Sequence, residues 1–235
     1  LHKAIQLFDQ VQDWMKIWTL APFPAYHSRN FVGNLWNNWI GGVQSPVPYL
    51  QAAALQAKNT PSGARFAGLL HKLGESVETI KTPGQRLKVE EVLQQAQEHG
   101  VLGRGWYGGD IPRRMEEELQ RPSLWSKILP GRNNWLLQLG MGVGETVENH
   151  ARLAHFIGRL QQRDAYEVAA RSVKKFLFDY TELSDVEKNV LKRVFPFYTW
   201  SRKNIPLQAE MIVREPRKFA ALGQAIESFQ EIAAP

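Results

Sequence analysis

The sequence predicts an all-α protein, a multi-helix and partly extended bundle whose C-terminal helices are kinked by proline. Three observations carry this. Apolar residues recur three and four apart in segment after segment, the spacing of one helix face. No stretch offers an alternating pattern that competes as a strand. The 13 Pro and 18 Gly interrupt the chain often enough to keep its helices modest in length.

The first segment, 1–20, places Leu1, Ala4, Phe8, Val11, Met15 and Trp18 at alternating gaps of three and four, with Leu7, Trp14 and Ile17 as a second stripe. Helices that pack side by side use such a seam, so Phe8, Val11, Met15 and Trp18 are the candidate oligomer contact. The chain opens on Leu1 in what reads as the middle of a helix, which suggests a fragment or a processed product. Pro22 and Pro24 break this helix.

Phe31, Leu35, Trp36 and Trp39 then share a helical face that Gly41 and Gly42 end, with Asn34, Asn37 and Asn38 beside them. Asparagine is a poor helix former. Tertiary packing must therefore hold this helix, expected as an aromatic core helix with polar edges. Ala52–Lys58 and Gly63–Leu73 read as short helices. Arg86–His99 is clearer, with Val89, Val92, Leu93 and Ala96 on one face and Gly100 as a C-terminal cap. The stretches Gly103–Asp110 and Pro122–Asn134 read as loops. The expected organisation is an N-terminal helical region 1–100, a glycine- and proline-rich connection 101–144 and a basic helical region 145–235.

In that last region Leu153, Phe156, Ile157 and Leu160 mark a helix from Glu145 to Arg163, with Gly140–Gly144 expected as a turn before it. Asp164 with Glu167, and Ser184 with Glu187, have the spacing of reciprocal N-terminal caps. The helix after Ser184 meets Pro196 and Pro206 and must kink or break at each. Glu215-Pro216 stops it, and a last helix runs from about Arg217 to Ile232.

Signs of chemistry are sparse. Zero Cys excludes disulfides, thiolate metal sites and cysteine nucleophiles. His150 and His155 are five apart, about 140° around a helix, so they cannot share a metal on one face. Gly140-Met141-Gly142-Val143-Gly144 lacks the strand that a dinucleotide loop requires. Asp110, in a loop with Trp106 and Tyr107, is the one carboxylate placed suggestively for catalysis. No catalytic residue, metal, cofactor or small-molecule substrate is expected. No apolar run approaches the length of a membrane span.

The net charge is +6 with a pI near 9.5, and between Arg171 and Lys218 eleven Lys and Arg outnumber six Asp and Glu. Phe195, Phe197, Tyr198 and Trp200 are interleaved with them. The first expectation is that these aromatics pack the bend at Pro196 while the cations stay in water. The alternative is contact with nucleic acid or anionic lipid headgroups, through Lys174, Lys175, Lys188, Lys192, Arg193, Arg202 and Lys203.

The block from Phe178 through Leu183-Ser184, Glu187–Val194 and Phe195-Pro196-Phe197-Tyr198-Thr199-Trp200 to Gln208 resembles a helical domain of the large polyvalent virion proteins of tailed phages. Tyr26–Asn34, Trp36-Asn37-Asn38-Trp39 and Glu148-Asn149-His150-Ala151-Arg152 are similar to its upstream parts. The resemblance implies a segment of an internal, ejection or tape-measure protein, sited in the capsid interior or tail lumen. It would serve genome delivery without catalysis. Its implied partners are other virion proteins and further copies of itself, with DNA or a membrane surface met during ejection. The alternative reading is a nucleic-acid-binding module that uses the basic 171–218 surface.

Overall fold

The computed structural model describes residues 8, 23–58, 60–102, 135–180, 183–184, 187–191, 195 and 197–233. Among these the fold is mostly helical, as expected. Helix α1 spans Pro24–Ile40, α2 Val47–Gln56 and α3 Pro61–Lys72. A hairpin of β1 (Thr79–Thr82) and β2 (Gln85–Lys88) leads into α4, Val89–Glu98. Then come α5 (Trp135–Gln161), α6 (Tyr166–Phe176), one π-helical turn at Glu187–Leu191, α7 (Tyr198–Arg214) and α8 (Pro216–Ala233). The expected loops at Gly103–Asp110 and Pro122–Asn134, Asp110 included, lie outside the described residues.

Helix α5 is the axis of the molecule. Ala151 to Ile157 are all buried, seven consecutive residues, so this part of the helix is enclosed on every side. Ala151, Leu153, Ala154, Phe156, Ile157 and Leu160 form the main core with Ala52 of α2, Ile80 of β1, Val92 and Ala96 of α4, and Ala169 and Val173 of α6. The stretches called 1–100 and 145–235 in the sequence therefore share one core. A second cluster joins Ile40 to Phe178, Tyr180, Leu207 and Met211, with Trp36, Trp39, Phe176 and Phe219 against it.

Four helix ends share one device. After α4, Gly100 turns left-handed at φ 63°. Its amide donates to the Gln97 carbonyl, and that of Val101 reaches back to Ala96. Two orphan carbonyls are satisfied in this way, and the apolar residue beyond the turn folds onto the last apolar position of the helix. The same pair of bonds closes α1 at Gly42 and α3 at Gly74. It closes α5 at Arg163, where a side-chain-bearing residue takes φ 74°.

Several expectations are corrected. The hairpin is absent from the sequence reading, and residues 86–88, expected as the start of a helix, are its second strand. Pro83-Gly84 makes the turn, with Gly84 at φ 100°, and only Ile80 of the pair is buried. Four-residue strands with one anchored side chain leave almost no alternation to read. Gly140, Gly142 and Gly144 lie inside α5 rather than in a turn before it. Helix α6 begins at Tyr166, its N-cap is Ala165 without a side-chain bond, and Asp164 instead accepts from Arg159. The chain does leave the helix at Phe195 and Phe197, where Phe197 is left-handed at φ 67°. Pro206 sits within the single helix α7, so the chain does not break there. The Ser184–Glu187 cap forms as expected, each residue bonding the other's amide.

Candidate functional site

Two regions hold the polar and apolar features that packing alone would not require. The first is a buried polar spine along α5. Arg152 is fully buried. It lies 3.7 Å from Glu148 one turn earlier and donates to the carbonyls of Val101, Leu177 and Phe178. The fork thus satisfies backbone acceptors just beyond the ends of α4 and α6 at once.

One turn on, His155 is also fully buried. The Asn38 amide nitrogen donates to the Ala151 carbonyl at 3.1 Å, which turns its oxygen toward His155 Nδ1 at 2.9 Å. Nδ1 therefore carries the proton, and Nε2 accepts from the Ser172 hydroxyl at 2.8 Å. Burial, helped by the nearby Arg159 charge, lowers the His155 pKa to about 3. The ring stacks on Phe176, 5.6 Å between centroids, and closely faces Gly41, where a Cβ would stand 2.6 Å from Cε1.

A Ser–His–Asn chain of this kind also serves nucleophilic catalysis. Here both imidazole nitrogens are occupied and the ring is enclosed. Ser172 lies within α6, and its hydroxyl is already engaged with His155 Nε2. The chain fixes the contact of α1, α5 and α6. Asn37 and Asn38, expected at polar edges, are buried. Asn37 takes a bond from Gln208 of α7, and Gln208 in turn accepts from the Trp36 indole at 3.0 Å. The asparagines are the inward polar face that locks α1 to its neighbours, and they explain why a poor helix sequence folds.

His150 pairs with Gln56 at 3.1 Å, far in role from His155. Both line an open apolar trough of about 290 Å³ with Phe31 and Phe66. The Gln56 amide nitrogen binds the Thr146 carbonyl, so the trough has no converging set of polar groups. Among the described residues no group of three His, Asp or Glu could hold a metal. No helix there is long and apolar enough to cross a membrane.

The second region is the surface of 195–226. Here the aromatic half of the expectation about the bend is overturned. Phe195, Phe197 and Trp200 are exposed, Trp200 at 46%, while cations around them are held within the chain. Lys175 and Arg214 both bind Glu210, at 2.7 and 3.1 Å. Arg202 binds Glu187, which also accepts from the Tyr198 hydroxyl. Lys203 donates to the Asp179 carbonyl. Hydrogen bonds from Ser184 lead the causes that hold the Glu187 carboxyl below its usual range, and the Lys175 bond leads those for Glu210. Lys174 is half-buried on α6. Lys192, Arg193 and the side chain of Lys188 lie outside the described residues.

Helix α7 turns Leu207 and Met211 into the second core. Its opposite side carries Ile205, Ile212 and Val213, the last 80% exposed. Helix α8 seats Phe219 against Trp36, rings 5.0 Å apart and edge-on. Every residue from Ala220 to Ser228 is then exposed, Leu222 at 38% and Ile226 at 49%. Of the sequence-derived oligomer contacts, Phe8 is exposed, whereas Val11, Met15 and Trp18 lie outside the described residues. The sequence reading missed both the spine and the α7–α8 face. Arg152 and His155 could have been found, because they interrupt the stripe of Leu153, Phe156 and Ile157.

Comparison with known proteins adds no relative. No protein-family model matches the chain, and searches of curated proteins and of solved structures return no match.

Proposed function

We propose that this chain is a non-enzymatic helical assembly segment of a large tailed-phage virion protein, acting in genome delivery from the capsid interior or tail lumen. The observation that carries the assembly role is the outward apolar surface of residues 195–226. Its aromatic and aliphatic side chains stand in water while the cations Lys175, Arg202, Lys203 and Arg214 are held by groups of the same chain. An exposed apolar patch rimmed by paired charges suits a protein surface better than a phosphate backbone, which needs cations to spare. The phage setting rests on the resemblance of the 178–208 block, within which Phe195, Phe197, Trp200 and Ile205 all belong to that surface.

The mechanism is mechanical. The core on α5 fixes a rigid body, and α7 and α8 present apolar rows for neighbouring helices in the particle. The test is peptide mass spectrometry of purified virions separated by gel. Peptides of this segment in a band far above 26.8 kDa, at a few copies per particle, are the expected result. A free protein of that mass found only outside particles overturns the reading.

A further inference from the structure

We propose that the outer face of α3 seats this chain on an anionic lipid surface, Leu69 and Leu73 entering the acyl boundary while Arg65 and Lys72 meet headgroup phosphates. The face is separate from 195–226, and the inference does not rest on the virion reading.

Helix α3 is anchored and closed at both ends. Thr60 caps its first turn by accepting from the Gly63 amide, and Gly74 ends it at φ 72°. Two residues fix which side faces inward. A Cβ on Gly63 would collide with the Ala57 carbonyl at the end of α2, and Leu70, two turns on, is fully buried. At about 100° per residue, Arg65 and Lys72 then project roughly opposite to that side, and both are exposed. Leu69 stands one turn from each of them, and Leu73 follows it at the next turn. These leucines are 45% and 55% exposed. Phe66, three residues before Leu69, lines the open trough with Phe31 of α1. The apolar area therefore runs from the trough to Leu73, with Arg65 and Lys72 along its edge.

The charges on this same face say what covers it. Among the described residues no side chain pairs with Arg65, Lys72 or the exposed Lys58 just before the helix. The chain has no Asp or Glu from Trp14 to Gly74, the span that holds α1, α2 and α3. Glu75, the first acid beyond it, pairs with none of the three cations. Helix stability alone would favour an acid in the first turn, and α3 has none there. The contrast is with Lys175, Arg202 and Arg214, which bind glutamates of their own chain. Unpaired cations beside exposed leucines match a bilayer boundary, where apolar side chains enter and the long cationic stems reach back to phosphate. Nucleic acid would use the cations but not the leucines, because bases stack on aromatic faces. With 12 residues α3 is too short to span a bilayer, so it lies along the surface.

The test uses the whole 235-residue chain and vesicles of equal parts phosphatidylcholine and phosphatidylglycerol. The chain should co-sediment with them, far less with pure phosphatidylcholine, and less as salt rises from about 50 to about 500 mM. Arg65→Glu with Lys72→Glu should weaken partitioning at least roughly tenfold. Leu69→Ser with Leu73→Ser should weaken it comparably while the salt response stays. All four positions are exposed, so both variants should keep the circular dichroism of the parent. Arg171→Glu with Arg217→Glu changes the net charge equally on other helices and should leave most of the binding. The chain has no Cys, so a nitroxide at Gly68→Cys, where a side chain meets open space, reports immersion. It should gain contact with oxygen and lose contact with a water-soluble relaxant on vesicles, whereas a label at Gly223→Cys on α8 stays in water. Absent vesicle binding, binding indifferent to both α3 variants, or binding lost in the Arg171 and Arg217 variant overturns the proposal. So does a Gly68 label that remains in water. Duplex DNA binding that needs Arg65 and Lys72, without vesicle binding, overturns it in favour of a nucleic-acid partner.

Discussion

Helices α5 and α8 are the two extremes of the molecule. The middle of α5 is enclosed on all sides and buries a full arginine and a histidine. Helix α8 stands exposed for nine consecutive residues beyond its first turn. The difference lies in where each helix finds partners for what its sequence presents. Helix α5 turns its buried polar side chains to partners inside the chain, down to the carbonyls that Arg152 collects from the ends of α4 and α6. Helix α8 carries an apolar row that the chain itself does not cover. A buried polar group is costly unless every bond is made, so the spine holds one arrangement of three helices. An exposed apolar row costs the folded chain little and remains available for assembly.

Changes in the spine should therefore unfold the protein, and changes on the face should not. Arg152→Ala should have the largest effect. It leaves Glu148 without its neighbour and strips the donor from the carbonyls of Val101, Leu177 and Phe178. Breaking a buried ion pair in this way costs about 3–5 kcal/mol, a large share of a typical domain's stability. Urea denaturation should show a midpoint shifted far down, or no folded baseline. A shift under about 1 kcal/mol would mean that water replaces the guanidinium and that the spine is not what joins α4, α5 and α6.

Acid should act on the same spine with a smaller effect. The His155 pKa is about 3 when folded and about 6.5 when unfolded. Between those values the unfolded chain binds more protons, so stability is complete above about pH 6.5 and falls as the pH is lowered toward 3. The slope approaches about 1.4 kcal/mol per pH unit, roughly 2 kcal/mol by pH 5. His150, whose pKa burial also lowers, adds in the same direction. Comparing the parent with His155→Gln over pH 5 to 7, above the titration of Glu187 and Glu210, isolates the buried ring. Equal slopes in the two proteins would show that His155 is solvated. Gly41→Ala tests the same contact sterically. A Cβ there meets His155 and Phe176 at 2.6 and 2.9 Å, and thermal melting should show a loss of about 1–3 kcal/mol.

How much of this was legible in the sequence follows the same division. The helices were, because Val89, Val92 and Ala96 or Leu153, Phe156, Ile157 and Leu160 keep a period that local sequence displays. Gly100 was read as a cap because only a few residues take φ 63° easily. The hairpin was not, since one buried residue, Ile80, is too short a signal. The spine was not, because Asn38, His155 and Ser172 are separated by more than a hundred positions at one step and meet only through packing. The asparagines of α1 were visible as an anomaly without a partner to explain them. The exposure of Phe195, Phe197 and Trp200 has another cause. Composition showed cations among aromatics but could not show that Glu187 and Glu210 would claim those cations.

The exposed ion pairs mark the low end of the scale. Lys175→Ala removes a 2.7 Å contact with Glu210 that water and salt screen, and should cost under about 1 kcal/mol, less in high salt. Ile212→Asp with Val213→Asp should cost less still, within about 0.5 kcal/mol, because neither side chain touches the core. That small number is the informative one. If the face of α7 serves assembly, these two changes leave the melting curve of the isolated chain in place. They should also sharply lower the amount of the parent polypeptide recovered in particles. Melting that falls by several kcal/mol would place Ile212 and Val213 in the chain's own packing, and α7 would then belong with α5 rather than with α8.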